Sequence, residues 1–149
     1  LGFNFRMTDL QGAIGLVQMK RLPTLIKDRQ LGASIYNEAL KGIEWIKLPE
    51  APENFLHSWQ SYVLYIDPLK APMSRNKIME QLNKRGVSSR PGTHAVHMLG
   101  YYKKSLGCKP EDYPNSRDCH ENSLAIPIHS HMLQSDYEYV IDALVSITV

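Results

Sequence analysis

The chain of 149 residues is long enough for one domain with its own core, and its 43% hydrophobic and 21% charged content is that of an ordinary globular protein. The formal net charge is only +2, with lysine and arginine spread along the chain, which argues against a nucleic-acid-binding surface. No apolar run approaches the length of a membrane span and no signal peptide is recognisable, so neither membrane nor nucleic acid is an expected partner.

The opening run Gly2-Phe3-Asn4-Phe5-Arg6-Met7-Thr8-Asp9 ends in a helix start. Thr8 or Asp9 can cap, and Leu10, Ala13, Ile14 and Val17 follow at helical spacing. An amide and a guanidinium just before a helix N-terminus suit an anion, which makes Asn4 and Arg6 candidate ligand contacts. Residues 8–41 read as one long helix whose apolar stripe continues through Leu16, Met19, Leu22, Leu25 and Ile26 to Ile35, Ala39 and Leu40. Pro23 should kink or interrupt it, and Gly42 is a natural stop.

Residues 43–48 look like a strand, and residues 59–66, rich in aromatic and β-branched side chains, give the strongest strand signal. Ser74 can cap a helix to about Arg85 with Ile78, Met79 and Leu82 buried, and Gly86 ends it. Residues 87–90 form a short strand candidate. The segment from Pro91 to His97 is an irregular loop dense in polar side chains. One or two helical turns over 98–104 and a helix over roughly 116–122, capped by Asn115, follow. Residues 124–128 form a short apolar strand that Pro127 places at an edge or a strand end. A last helix over about 135–146 should bury Tyr139, Val140, Ala143 and Leu144. Helices alternating with a few strands predict an α/β chain, α+β-like, with a small, mainly antiparallel sheet covered by helices on one face and preceded by the long kinked helix.

Candidate chemistry concentrates in the loop after residues 87–90. Arg90 can take a diphosphate, and His94 and His97 can bond sugar hydroxyls; a plain polar surface loop is the alternative. His94-x-x-His97 and His129-x-His131 invite a zinc reading, but no well-placed cysteine pair or carboxylate completes a site, so no metal is expected. No nucleophile elbow supports a Ser-His-Asp triad. Cys108 and Cys119 could pair, though free thiols in the cytoplasm are the expectation.

Gly-x-Asn-x-Arg-Met-Thr-Asp resembles the segment that opens the C-terminal part of the DegT/DnrJ/StrS-type sugar aminotransferases, which use pyridoxal 5'-phosphate (PLP). The resemblance continues in order: Tyr36-Asn37-Glu38-Ala39-Leu40, Ser61-Tyr62-Val63-Leu64, Lys84-Arg85-Gly86-Val87, Arg90-Pro91, His97, Tyr101-Tyr102, Asp112-Tyr113-Pro114-Asn115, residues 124–129 and residues 136–141. Pro91-Gly92-Thr93-His94 departs from the common pattern, since relatives often carry Tyr or Pro where His94 stands.

The resemblance implies the C-terminal small domain of a fold-type I PLP enzyme over 1–149, with an interdomain helix at about 8–41. The large domain with its Schiff-base lysine would lie upstream of Leu1, so that the chain alone would be inert. It implies that Asn4 reaches the PLP phosphate of the neighbouring subunit of a homodimer, with Arg6 supporting that contact. It also implies that Arg90, His94 and His97 meet a nucleotide-linked keto sugar, glutamate being the usual amino donor. A same-fold PLP sugar dehydratase, in which histidine replaces the lysine, and a non-catalytic binding module remain alternatives.

Overall fold

The computed structural model describes residues 2, 3 and 5–147; the Asn4 expectation therefore lies outside the described residues. The first element, α1 (Asp9–Leu40), is capped as its sequence suggests. Thr8 Oγ1 accepts from the Gln11 N–H at 3.3 Å, and Gln11 Oε1 accepts from the Thr8 N–H at 3.0 Å. Helical structure runs through Pro23 without a break, so the proline does not interrupt the helix. Lacking an N–H, it leaves one carbonyl of the preceding turn without its helical donor. The helix ends at Leu40, with Lys41 as its extended C-cap and Gly42 following at φ +87.

Only the second half of α1 packs on this chain: Gly32, Ala33, Tyr36 and Leu40 are buried. The apolar stripe of the first half does not. Leu10, Ile14, Leu16, Val17 and Met19 are all exposed. At about 1.5 Å per residue a 32-residue helix is some 48 Å long, against about 17 Å for a five-residue strand, so half of it overhangs the sheet.

Four strands, β1 (Ile46–Lys47), β2 (Tyr62–Ile66), β3 (Arg90–Pro91) and β4 (Ser123–Ile126), form one sheet in the order β1-β2-β4-β3, every pair antiparallel. The third strand lies later than the expected 87–90, because Val87 is spent on burial after the helix stop at Gly86. The fourth ends directly before Pro127, as a residue without an N–H requires, yet it is an interior strand.

Strand register decides which face each side chain takes. Tyr62 opposes Ile126 and Leu64 opposes Leu124, and all four are buried. They meet Tyr36, helix α2 (Arg75–Lys84) through Ile78 and Leu82, and helix α5 (Gln134–Val145) through Tyr137, Val140 and Leu144. In α5 it is Tyr137 that is buried, while Tyr139 is exposed and donates to the Arg85 carbonyl at 2.8 Å. Tyr36 packs between Tyr62 and Tyr137, with ring centroids 5.0 and 5.2 Å away, and its hydroxyl donates to the Pro127 carbonyl at 2.7 Å. Burial raises the pKa values of the Tyr36 and Tyr62 hydroxyls well above the ordinary tyrosine value.

Helices cover the sheet on both faces, not one. The opposite face carries Val63, Tyr65, Arg90 and Ala125 by the same register. Helix α4 (Pro114–Asn122) covers one end of it, where the Tyr65 hydroxyl donates to the Asp118 carboxylate at 2.9 Å. The short helix α3 (Gly100–Leu106), which follows a 3-10 turn at Val96–Met98, buries none of its residues.

Candidate functional site

Two clefts flank the loop that follows β3, and the loop's cation and imidazoles divide between them. His94 and His97 line a cleft of about 400 Å³ with Val96, Tyr102, Cys108 and Tyr113. Arg90 lines another, of about 540 Å³, with Gln60, Ser61, Ser88 and His129 against walls from Ala125 to Ile128. The sequence put all three residues on one surface; the structure pairs the histidines and sets Arg90 on the sheet face.

The two histidines differ. His97 is only 7% exposed; its Nε2 lies 3.4 Å from the Pro110 carbonyl and its ring 4.9 Å from that of Tyr113. It shapes the cleft wall and holds the 3-10 turn at Pro110–Asp112. His94 is exposed, with its ring 5.7 Å from that of His120. Tyr102 and Tyr113 add aromatic walls open to solvent. Mostly apolar lining with a few polar groups, at this volume, is the composition of small-molecule sites.

Gly92 sets the path between the clefts. Its N–H donates to the Ser123 carbonyl at 3.0 Å, and a Cβ there would lie 2.3 Å from Val63 Cγ1. Only glycine lets the loop come that close to β2 and β4.

Three residues that carry this geometry were not legible as such. The Arg29 guanidinium donates to the carbonyls of Trp59 and Gln60 at 2.9 Å and of Ile128 at 3.3 Å, joining both approaches to the Arg90 cleft. Trp59 itself is buried at φ +49, a conformation costing on the order of 1–3 kcal/mol in a non-glycine residue. Arg29 offsets that strain by tying down the carbonyl. Its place on the buried side of α1, with Ala33, Tyr36 and Leu40, was the available signal: a cation there needs acceptors. The third, Arg75, is 6% exposed and donates to the Ser123 and His120 carbonyls at 3.1 and 2.9 Å; burial lowers the pKa of its guanidinium.

Arg6 is exposed in the segment before α1. Of the cap donors of that helix, the Gln11 N–H is engaged by Thr8 Oγ1, and Asp9 puts a carboxylate in the first turn. An anion at this end would meet the remaining first-turn N–H groups and the Arg6 guanidinium, donor chemistry of the kind a phosphate takes. Every lysine is exposed, and no lysine lines either cleft. Among the described residues no three His, Cys, Asp or Glu side chains converge as a metal site. His129 and His131 lie 6.5 Å apart, ring to ring, and Cys108 and Cys119 are free thiols. Among the described residues no helix is long and apolar enough to cross a membrane.

Residues 1–145 match the DegT/DnrJ/EryC1/StrS aminotransferase family. Among curated proteins, the chain is 32% identical over 144 residues to the spore coat polysaccharide biosynthesis protein SpsC of Bacillus subtilis. It is 30% identical over 143 residues to the uncharacterized protein MJ1066 of Methanocaldococcus jannaschii. Each match covers 96% of this chain and 37% of the relative. Among solved structures it superposes with TM-score 0.84 and 26% identity on Spr1654 of Streptococcus pneumoniae, a candidate sugar aminotransferase solved in apo, PMP and PLP forms. That match covers 93% of this chain and 34% of the other.

Proposed function

Because the chain belongs to the DegT/DnrJ/EryC1/StrS aminotransferase family, we propose that it is the C-terminal small domain of a PLP-dependent enzyme that moves an amino group from glutamate to a nucleotide-linked keto sugar. The match over 1–145 carries this reading, and the cleft holding His94 and His97 supports it. Since the chain spans little more than a third of its relatives' length, the reaction belongs to a longer polypeptide. PLP, when bound, supplies the electron sink for amino-group exchange.

The chain's own residues bind and orient. Asn4 and Arg6 stand before α1 to hold the cofactor phosphate across a homodimer interface, an amide and a guanidinium both donating to oxygens. The exposed apolar residues on the first half of α1 give the large domain a surface to pack on, so that α1 serves as the interdomain helix. His94 meets sugar hydroxyls from the open side of its cleft, His97 holds the cleft wall, and Arg90 takes the charged part of the substrate on the sheet face. Catalytic proton transfer falls to a lysine outside this chain, and the enzyme works in the cytoplasm.

The test is amino-group transfer by the full-length polypeptide. With 15N-glutamate and a nucleotide-linked keto sugar, mass spectrometry should find the label in the sugar. Water loss from the sugar without label uptake would mark a dehydratase, and neither reaction on any keto sugar would overturn the proposal. The 149-residue chain alone should transfer nothing.

A further inference from the structure

His94 is the exposed imidazole of the β3 loop, and the backbone is tied down on both sides of it. Two residues before it, the Gly92 N–H donates to the Ser123 carbonyl at 3.0 Å. One residue after it, the Ala95 N–H donates to Nδ1 of His120 on α4 at 3.3 Å. Ala95 is 1% exposed, so water is shut out there and its N–H needs an acceptor from the protein. A carbonyl is the ordinary partner of such a group; here it is a side chain. The His120 ring also lies against that of His94, with centroids 5.7 Å apart and planes at 49°.

Both of these acceptor residues are fixed by one buried cation. Arg75 on α2 donates through one guanidinium nitrogen to the Ser123 carbonyl at 3.1 Å and through another to the His120 carbonyl at 2.9 Å. Because the guanidinium is a rigid planar fork, it sets where the two carbonyls stand. The Ser123 carbonyl therefore takes two donors, one from α2 and one from the loop. At His120 the connection runs through the residue, from its carbonyl on Arg75 to its ring on Ala95. The junction of α4 and β4 is thus a frame held from α2, and residues 92–95 hang from it. Acceptance at Nδ1 also sets the chemical state of the ring. It is neutral, with its proton on Nε2, since an imidazolium has two donors and no acceptor.

We propose that His120 is a positioning residue, whose Nδ1, on the frame that Arg75 holds, fixes the β3 loop so that the His94 side chain faces its open cleft. His120 lines neither cleft, so it acts through the loop and not on a ligand. The proposal rests on the reading of His94 as a sugar contact and adds what holds that contact in place. An exposed imidazole on an untethered loop would lose rotational and backbone freedom on meeting its ligand; the bond at Ala95 removes part of that cost beforehand.

Three variants of the full-length polypeptide test this. His120→Phe keeps a ring without an acceptor, His120→Asn puts an amide oxygen near the place of Nδ1, and His120→Gln puts it near the place of Nε2. Amide exchange followed by mass spectrometry, in peptides spanning residues 93–98, reads the Ala95 bond without any turnover. His120→Phe and His120→Gln should speed exchange there about tenfold, the factor that one lost hydrogen bond represents, while His120→Asn stays near wild type. Exchange over residues 114–122 should not change; if His120→Phe loosens the whole fold, the pair Gln and Asn carries the comparison. In the half-reactions, His120→Phe should raise KM for the keto sugar about tenfold and leave glutamate uptake within about twofold, and His120→Asn should restore the sugar step. Phe tolerated and Asn impaired would assign the ring to packing and overturn the proposal. Unchanged Ala95 exchange in both Phe and Gln, or faster exchange with an unchanged sugar step, would overturn it as well. Any of these failures leaves the amino-transfer reading standing. Absent amino transfer by the wild-type polypeptide removes that reading instead, and the order of the variants in exchange still supports or overturns the anchor.

Discussion

Replacing Gly92 with alanine perturbs both clefts through one atom. The new Cβ would sit 2.3 Å from Val63 Cγ1 and 2.8 Å from Ser123 Cβ and Oγ, where ordinary contacts begin at 3.4 Å. Relief needs a shift of about an ångström, and neither neighbour yields easily, since Val63 and Ser123 stand on the two interior strands paired through Val63↔Ala125 and Tyr65↔Ser123. Moving the loop instead stretches the Gly92 N–H bond to the Ser123 carbonyl. Overpacking of this kind costs about 1–3 kcal/mol, and we expect the upper half of that range because two neighbours are met at once. Urea denaturation should show a lower midpoint at unchanged slope. Val63→Ala removes the nearer atom, so Gly92→Ala should cost at least about 1 kcal/mol less in that background, a coupling of the size neighbours in contact show. A loss under about 0.5 kcal/mol, or strictly additive single and double variants, would refute the close-approach role of Gly92.

Arg29→Met should cost about 1.5–3 kcal/mol, the worth of bonds from a charged donor, and should speed amide exchange in residues 59–62 and 128–130 more than elsewhere; uniform loosening would deny the local clamp. The Tyr65 pKa is raised to about 12 by burial, with further contributions from the hydrogen bond and charge of Asp118, so ultraviolet difference titration should show this hydroxyl ionising late, and Asp118→Asn should bring it down. The sign for stability follows: a folded-state pKa raised above the ordinary value near 10 means the Tyr65 contribution is complete below about pH 10 and is lost as pH rises toward about 12; a Tyr65→Phe chain should lose less stability over that window, and an identical loss would contradict the assignment. In the full-length polypeptide Asn4→Ala should weaken PLP retention by about 1.5–3 kcal/mol with little change in thermal midpoint, and unchanged cofactor affinity on titration would remove the phosphate role.

Local chemistry was legible wherever a short-range rule decides structure. The Thr8 cap, the stops at Gly42 and Gly86, the buried pair Ile78 and Leu82, and the strand end before Pro127 all follow from capping, positive φ, helical spacing and the missing proline N–H. What failed is what depends on partners distant in the chain. The stripe of Leu10, Ile14 and Val17 has a helix period but nothing on this chain to pack against. Tyr137 and Tyr139 are both plausible by spacing, and the choice falls to Tyr36, whose ring meets Tyr137 across two helices. Sequence proximity grouped Arg90 with His94 and His97; the strand pairing Arg90↔Ala125 turned the arginine onto the sheet face and Gly92 carried the chain past it. The sequence offers the His129 side chain only as a zinc-ligand candidate; it lines one cleft with Arg90 because β3 pairs with β4, and no motif signals that.

The two halves of the reaction, measured separately in the full-length polypeptide, test most directly whether this chain serves the sugar. Stopped-flow absorbance follows amino-group uptake from glutamate and its delivery to the keto sugar. Arg90→Ala and His94→Ala should leave uptake within twofold and slow delivery tenfold or more, about 1.4 kcal/mol of lost stabilisation. Equal slowing of both steps would place the β3 loop with the cofactor or with the fold, and would contradict its substrate-facing role.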